Sequence, residues 1–289
     1  MNYTEQLKKQ IETLYKNEIR LDIHPALEQI RTGQSKFGGK PHLPGDFQWY
    51  YYETEGLYGE VKNRPLSFLA QINCQEVHSL DGERLLPEEG MLYFFYEMDS
   101  MSWGYDPKHQ GCARVYYYSG DMEELIPTEF PEDLEEEYIL PELAVTFERT
   151  GSLPDYREAE LFLDMAAGKN SDGYDAYEKV LEELGYGGSD ICSKLLGYAD
   201  LIQNEALAEC EMVSNGIYIG GGWPKMSDEE QDELMERARE WILLFQLDSV
   251  VTDDFELMFG DCGCIYFYIR KQDLKECRFD RAWLILQCY

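Results

Sequence analysis

The chain has 289 residues, 44% of them hydrophobic and 14% aromatic, an apolar content that supports a packed core and excludes a disordered chain. It carries 57 Asp plus Glu against 25 Lys plus Arg, a formal net charge of -32. Direct nucleic-acid binding is disfavoured, because it draws on Lys and Arg to displace counterions, and anionic membrane surfaces are disfavoured for the same reason. A basic protein is the partner that such a field attracts.

The first ten residues lack the apolar run of a leader peptide, and no stretch approaches the roughly 18 apolar residues of a membrane helix. Eight Cys in a chain this long are too sparse for a disulfide scaffold. A cytoplasmic protein with reduced cysteines is expected.

In chain order, Leu7, Ile11 and Leu14 fall at helical spacing, which predicts an amphipathic helix over residues 3–20 within an N-terminal helical segment, 1–33. A turn-rich run containing Gly38, Gly39, Pro41, Pro44 and Gly45 precedes an aromatic strand over 47–52. Residues 66–73 alternate, with Leu66, Phe68, Ala70 and Ile72 on one face, the period of a strand. Residues 91–96 are continuously apolar, which predicts a strand buried on both faces; residues 113–118 predict another. Residues 121–148 carry many acids and no Lys or Arg, with Pro127, Pro131 and Pro141 interrupting any helix, and read as a connector draped on the surface. A helix over 174–184 closes at Gly185, a capping box at Ser227 and Glu230 opens another to about residue 240, and strands resume at Trp241.

The two halves repeat one another. Residues 66–73 align without a gap on 241–248, which puts Gln71 opposite Gln246 and Asn73 opposite Asp248. Residues 90–96 then match 263–269, and upstream the Lys36-Phe37-Gly38-Gly39 run matches Lys194-Leu195-Leu196-Gly197. The fold class this implies is α+β, largely antiparallel sheets with flanking helices, with one unit duplicated into two pseudo-symmetric halves. The units are residues 34–120 and 151–289, joined by an acidic connecting segment, 121–150, and packed as one compact domain.

Several of these stretches together resemble the YwqG-like family, a bacterial domain family of unknown function. They are Gly38 through Pro44, Pro65 through Asn73, Leu86-Pro87, Trp241 through Ser249 and Gly260 through Phe267. The resemblance implies an α+β fold of largely antiparallel sheet with an internal duplication, and no defined activity. It also implies a role suggested for relatives, that of immunity proteins which neutralise bacterial toxins.

No catalytic constellation emerges. Cys262 and Cys264 lie near Asp253, Asp254 and Asp261, but without a Cys-x-x-Cys pair or a nearby His they read as core thiols sharing a strand face, not as a metal site. His24, His42, His78 and His109 are scattered, with no nucleophile motif beside them, and read as surface residues. Gly220-Gly221-Gly222 lacks the spacing of a phosphate loop. No metal and no cofactor are expected.

Two candidate sites follow. Gln71, Asn73, Gln246, Asp248 and Asp261 could line a groove between the halves, with Trp49 or Trp241 stacking on a ligand; alternatively these polar groups satisfy backbone at the strand ends. Glu135, Glu136 and Glu137, flanked by Phe130 and Tyr138, could engage a basic partner such as a toxin; alternatively the apolar members tack the segment to its own core. The functional expectation is a non-enzymatic binding protein, with a small-molecule binder or enzyme using the groove as the alternative.

Overall fold

A computed structural model describes residues 3–56, 59–163, 171–187 and 191–289. Ten strands form one sheet: β1 (Lys16–His24), β2 (Lys36–Phe37), β3 (Ser67–Asn73), β4 (Met91–Tyr96), β5 (Ala113–Tyr118), β6 (Leu143–Ser152), β7 (Lys194–Leu196), β8 (Trp241–Asp248), β9 (Cys264–Arg270) and β10 (Trp283–Gln287). Their spatial order is β10-β9-β8-β7-β1-β6-β2-β3-β4-β5, and every neighbouring pair is antiparallel. The sheet curls into an almost closed barrel. Across its interior the ring of Phe94 on β4 meets Phe245 on β8 at 4.4 Å and Phe267 on β9 at 5.2 Å.

Of the helices α1 (Tyr3–Glu12), α2 (Cys74–His78), α3 (Tyr156–Ala159), α4 (Ser171–Leu184), α5 (Ala206–Ser214), α6 (Asp228–Ala238) and α7 (Lys271–Lys275), only α2, through Cys74 and Val77, and α7, through Leu274, add to the barrel core, and the others pack in clusters outside it. Leu7 and Ile11 of α1 pack on Tyr177, Val180 and Leu181 of α4. The helix α4 ends as its glycine requires, with Gly185 N–H donating to Glu182 and Tyr186 N–H to Leu181, the paired bonds of a Schellman stop. The capping box of Ser227 and Glu230 opens α6.

Strands β3, β4, β8 and β9 are buried on both faces, which explains their near-continuous apolar sequence. One face joins the barrel core. The other lies, for β3 and β4, beneath Leu43 and Leu125 with Trp49 and Phe130 half-buried over it, and for β8 and β9 beneath α5. The same irregularity interrupts both ladders, between Phe68 and Ala70 and between Leu243 and Phe245.

The centre of the sheet departs from expectation. The predicted helix over 3–20 stops at Glu12, and Lys16 begins β1, because Ile19 and Leu21 alternate into the core, a period that the charged residues between them obscure. The strand expected over 47–52 is instead Tyr51–Thr54, paired with Lys62–Pro65 in a separate ribbon, while Phe47 and Trp49 pack as loop residues. The acidic connector supplies Leu125–Pro127, paired with His42–Pro44, and runs into β6, which pairs with β1 along nine residues from Lys16↔Ser152 to His24↔Ala144. This central ladder is therefore built from the segments expected to be a helix and a linker.

Two very short strands tie the central ladder to the rest. The ladder from β2 joins β6 and β3 through two residue pairs on each side, and that from β7 joins β1 through three and β8 through two. Polar side chains support both. Lys36 is wholly buried and donates to Glu142 at 2.5 Å and to the Lys40 carbonyl at 2.6 Å; Lys194, also buried, donates to Glu18 at 3.1 Å and Asp200 at 2.6 Å. Next to each, a glycine with positive φ lets the chain pass close to that carboxylate's stem: a Cβ on Gly39 would sit 2.6 Å from Glu142 Cβ, and one on Gly197 2.7 Å from Glu18 Cβ. A side chain is excluded on both counts.

Gln71 and Gln246, with no exposed surface, complete the brackets. Gln71 accepts from His42 N–H at 2.9 Å and donates to the Gln34 carbonyl at 2.7 Å. Gln246 accepts from Asp200 N–H at 2.9 Å and donates to the Cys192 carbonyl at 2.7 Å. Replacing either glutamine by Ala leaves one N–H without its acceptor and removes the bonds of the amide nitrogen, so Gln71→Ala and Gln246→Ala should each lower unfolding free energy by roughly 2–4 kcal/mol. Urea denaturation checks this, and a midpoint unchanged in either variant would show that bracket to be idle.

Candidate functional site

The polar residues expected in a groove do not meet. Four strands separate β3 from β8 in the sheet, and each glutamine bonds backbone through both its oxygen and its nitrogen. Asn73 caps α2 by accepting from Gln75 N–H at 3.0 Å and donates to the Gly33 carbonyl at 2.7 Å. Asp248 accepts from Ser249 N–H at 2.7 Å and from the Cys264 thiol at 3.2 Å. Asp261 lies on an exposed turn, where its carbonyl accepts from Tyr289 N–H at 3.0 Å. Trp49 donates to the Leu66 carbonyl at 2.9 Å, and Trp241 is buried, donating to Glu211 at 2.9 Å.

Two other readings change. His42 is buried, not on the surface. Its Nδ1 accepts from Gly33 N–H at 3.3 Å and lies 2.9 Å from Gln71 Nε2; burial, with Lys36 adding, lowers its pKa to about 4. Cys264 is a core thiol, whereas Cys262 is exposed at positive φ just before β9, so the two do not share a strand face. Among the described residues no three His, Cys, Asp or Glu side chains are grouped to hold a metal ion. No described helix is long and apolar enough to cross a membrane.

The acidic segment forms an anchored ledge. Phe130 packs edge-on against Trp49 at 5.9 Å, Leu134 is buried, and Tyr138 donates to Asp99 at 2.9 Å. Tyr51 donates to Asp133 at 2.9 Å, and Lys62 pairs with Glu135 at 3.0 Å. Phe130 is thus half-buried over the outer face of β3 and β4, and Tyr138 is half-buried against the barrel core. Glu135, Glu136 and Glu137 stand exposed on the ledge, and among the described residues Glu136 and Glu137 have no ion-pair partner. The exposed side of α6 adds Asp228, Glu229, Asp232, Glu233 and Glu236.

A second acidic feature lies inside. Glu158 on α3 and Glu209 on α5 are buried, and one carboxylate oxygen of each has no hydrogen-bond partner. The hydroxyl of Tyr268, which is likewise buried, is also unpartnered. Burial drives the Glu158 carboxyl upward; burial, with neighbouring Glu205 adding, pushes Glu209 up to about 8. Sequence reasoning passed over both, since two acids among 57 carry no mark of burial beyond, for Glu209, the apolar residues that surround it on α5.

A model of the family described as a domain of unknown function, DUF1963, matches residues 35–288. The chain belongs to that family. The match runs from β2 to the end of β10, so it takes in all of the sheet except β1. No curated protein matches the chain.

The buried acids set a pH dependence. A carboxyl whose pKa is higher folded than unfolded binds more protons in the native state, so stability is greatest below the unfolded value and falls as pH rises through the folded one. His42 acts oppositely, removing stability as pH falls from about 6.5 towards 4. Urea midpoints should therefore decline from about pH 6.5, where the opposing effect of His42 ends, to about pH 8, and Glu209→Gln should flatten that decline. An equally steep decline in the variant would show that Glu209 does not titrate there.

Proposed function

We propose that this member of the DUF1963 family is a non-enzymatic binding protein that receives a basic protein on its acidic exterior. The observation that carries the reading is the ledge: Glu135, Glu136 and Glu137 are exposed on a segment pinned by Leu134, Tyr138 and Phe130. A partner meeting fixed carboxylates loses less conformational entropy than one meeting a mobile tail. The net charge of -32 would steer a basic partner in before contact. Within this reading, an immunity-type role in a bacterial cytoplasm, occluding a basic toxin, is the specific form suggested by the narrower YwqG-like resemblance.

We also infer that the sheet arose from one duplicated unit. Support comes from the repeated brackets: Lys36 and Lys194, Gln71 and Gln246, the Ser35 and Ser193 hydroxyls that accept from Asn73 and Asp248 N–H, and the Tyr93 and Tyr266 hydroxyls that donate to the His42 and Asp200 carbonyls. In this view β1 and β6, the strands that precede the units at 34–120 and 151–289, are exchanged, so that each pairs with the first strand of the unit it does not precede.

Binding should be salt-sensitive, weakening from about 0.05 to about 0.5 M salt as charges at the rim are screened. A pull-down from the native host at low salt should recover a basic protein that is lost from the Glu135→Gln, Glu136→Gln, Glu137→Gln triple variant. Equal retention by the triple variant would remove the ledge from the interaction.

A further inference from the structure

The barrel does not close by hydrogen bonds, because β5 and β10 are the unpaired ends of the sheet. The seam between them is filled in two places. Phe279 packs on Tyr117 of β5 at 5.2 Å. On the other side, Trp103 accepts from Leu286 N–H at 3.0 Å, and Gly104 accepts from Trp283 Nε1–H at 2.9 Å. Between these plugs is a cavity of about 460 Å³, within the size range of small-molecule sites.

Its lining is unlike the rest of the surface. Arg114, Arg270 and Arg281 all border it, in a protein with more than twice as many acids as bases. Arg270 lies over the Trp241 ring at 4.6 Å and pairs with Glu211 at 2.6 Å, but Glu211 also takes Arg237 at 3.0 Å. Arg281 reaches Asp273 only at 3.7 Å, and Asp273 is already bound by Arg278. Each carboxylate thus serves two guanidiniums. Among the described residues the Arg114 guanidinium has no hydrogen bond or ion pair; Asp280 is the exposed acid at the rim.

His109 adds a neutral donor. Its Nδ1 accepts from Gly104 N–H at 3.0 Å, which leaves the hydrogen of the neutral ring on Nε2. Burial lowers its pKa, favouring that neutral form. Trp241 and Trp283, both buried, form apolar walls.

We propose that the seam cavity binds a small molecule bearing a carboxylate or phosphate oxyanion, held by Arg114 and Arg281. Guanidinium groups suit this chemistry, since their planar forks bond oxyanions bidentately and stay charged. The overall negative charge does not forbid it, because carboxylates farther away than about 8 Å are largely screened at physiological salt. A long polyanion, by contrast, would run out over the acidic surface, so the ligand is small.

The test uses pyrophosphate and citrate as probes, titrated against the whole protein at constant ionic strength by calorimetry, with sodium chloride as the blank. At least one probe should bind saturably with a Kd of about 1 mM or tighter. The Arg114→Gln, Arg281→Gln variant should weaken it about tenfold or more, whereas Arg84→Gln, an exposed arginine elsewhere, should not. Binding of pyrophosphate alone assigns phosphate, and of citrate alone carboxylate. Since Arg114 has no bond to lose, Arg114→Gln by itself should keep the wild-type urea midpoint and still weaken binding. No saturable heat from either probe, or equal affinity in the Arg114 variants and wild type, would overturn the proposal.

Discussion

Two buried glutamine amides hold this fold at its narrowest points. The strands β2 and β7 have two and three residues, yet they are what join the central β1–β6 ladder to the three outer strands on each side. So few backbone bonds make weak seams, and interrupting either would divide the sheet. Gln71 and Gln246 reinforce them by binding the chain on both sides of the short strand, accepting an N–H after it and donating to a carbonyl before it. In surroundings without water a satisfied amide is stable, and an unsatisfied one costly. Lys36 and Lys194 add buried charge-assisted bonds at the same points, so polar groups in the interior compensate for short ladders.

Legibility in the sequence followed how strongly one period dominated each segment. Strands β3, β4, β8 and β9 were readable because burial on both faces leaves little but apolar residues, and α4 and α6 because glycine and capping-box signals mark their ends. The strand β1 was not, since Lys16, Glu18, Arg20 and Asp22 interleave its core residues and continue the helical look of α1. The strand β6 carries Glu148 and Arg149 and follows three prolines, so it read as a connector. The strands β2 and β7 are too short for any period, although the matched Lys36 and Lys194 runs were visible and pointed to equivalent places.

The candidate sites divide in the same way. Sequence alignment found the paired glutamines but could not tell a ligand contact from a backbone bracket, a distinction that depends on burial. It found the acidic segment but not how that segment is held, because Tyr138 is fixed by Asp99, 39 positions away in sequence. The arginines of the seam come from β5, the end of β9 and the turn before β10, and only closure of the barrel assembles them. The exterior and the seam therefore offer opposite charge on one scaffold, an acidic ledge outside and guanidiniums within.

Hydrogen exchange at the His42 and Asp200 amides tests the bracketing of β2 and β7 most directly, because each N–H donates to a buried glutamine oxygen rather than to a ladder. If the brackets hold the sheet together, both amides exchange only through global unfolding, as slowly as the central amides of Ile19 and Leu21. Rapid exchange at either amide while β1 stays protected would contradict the account, since that short strand would then open without its glutamine restraining it.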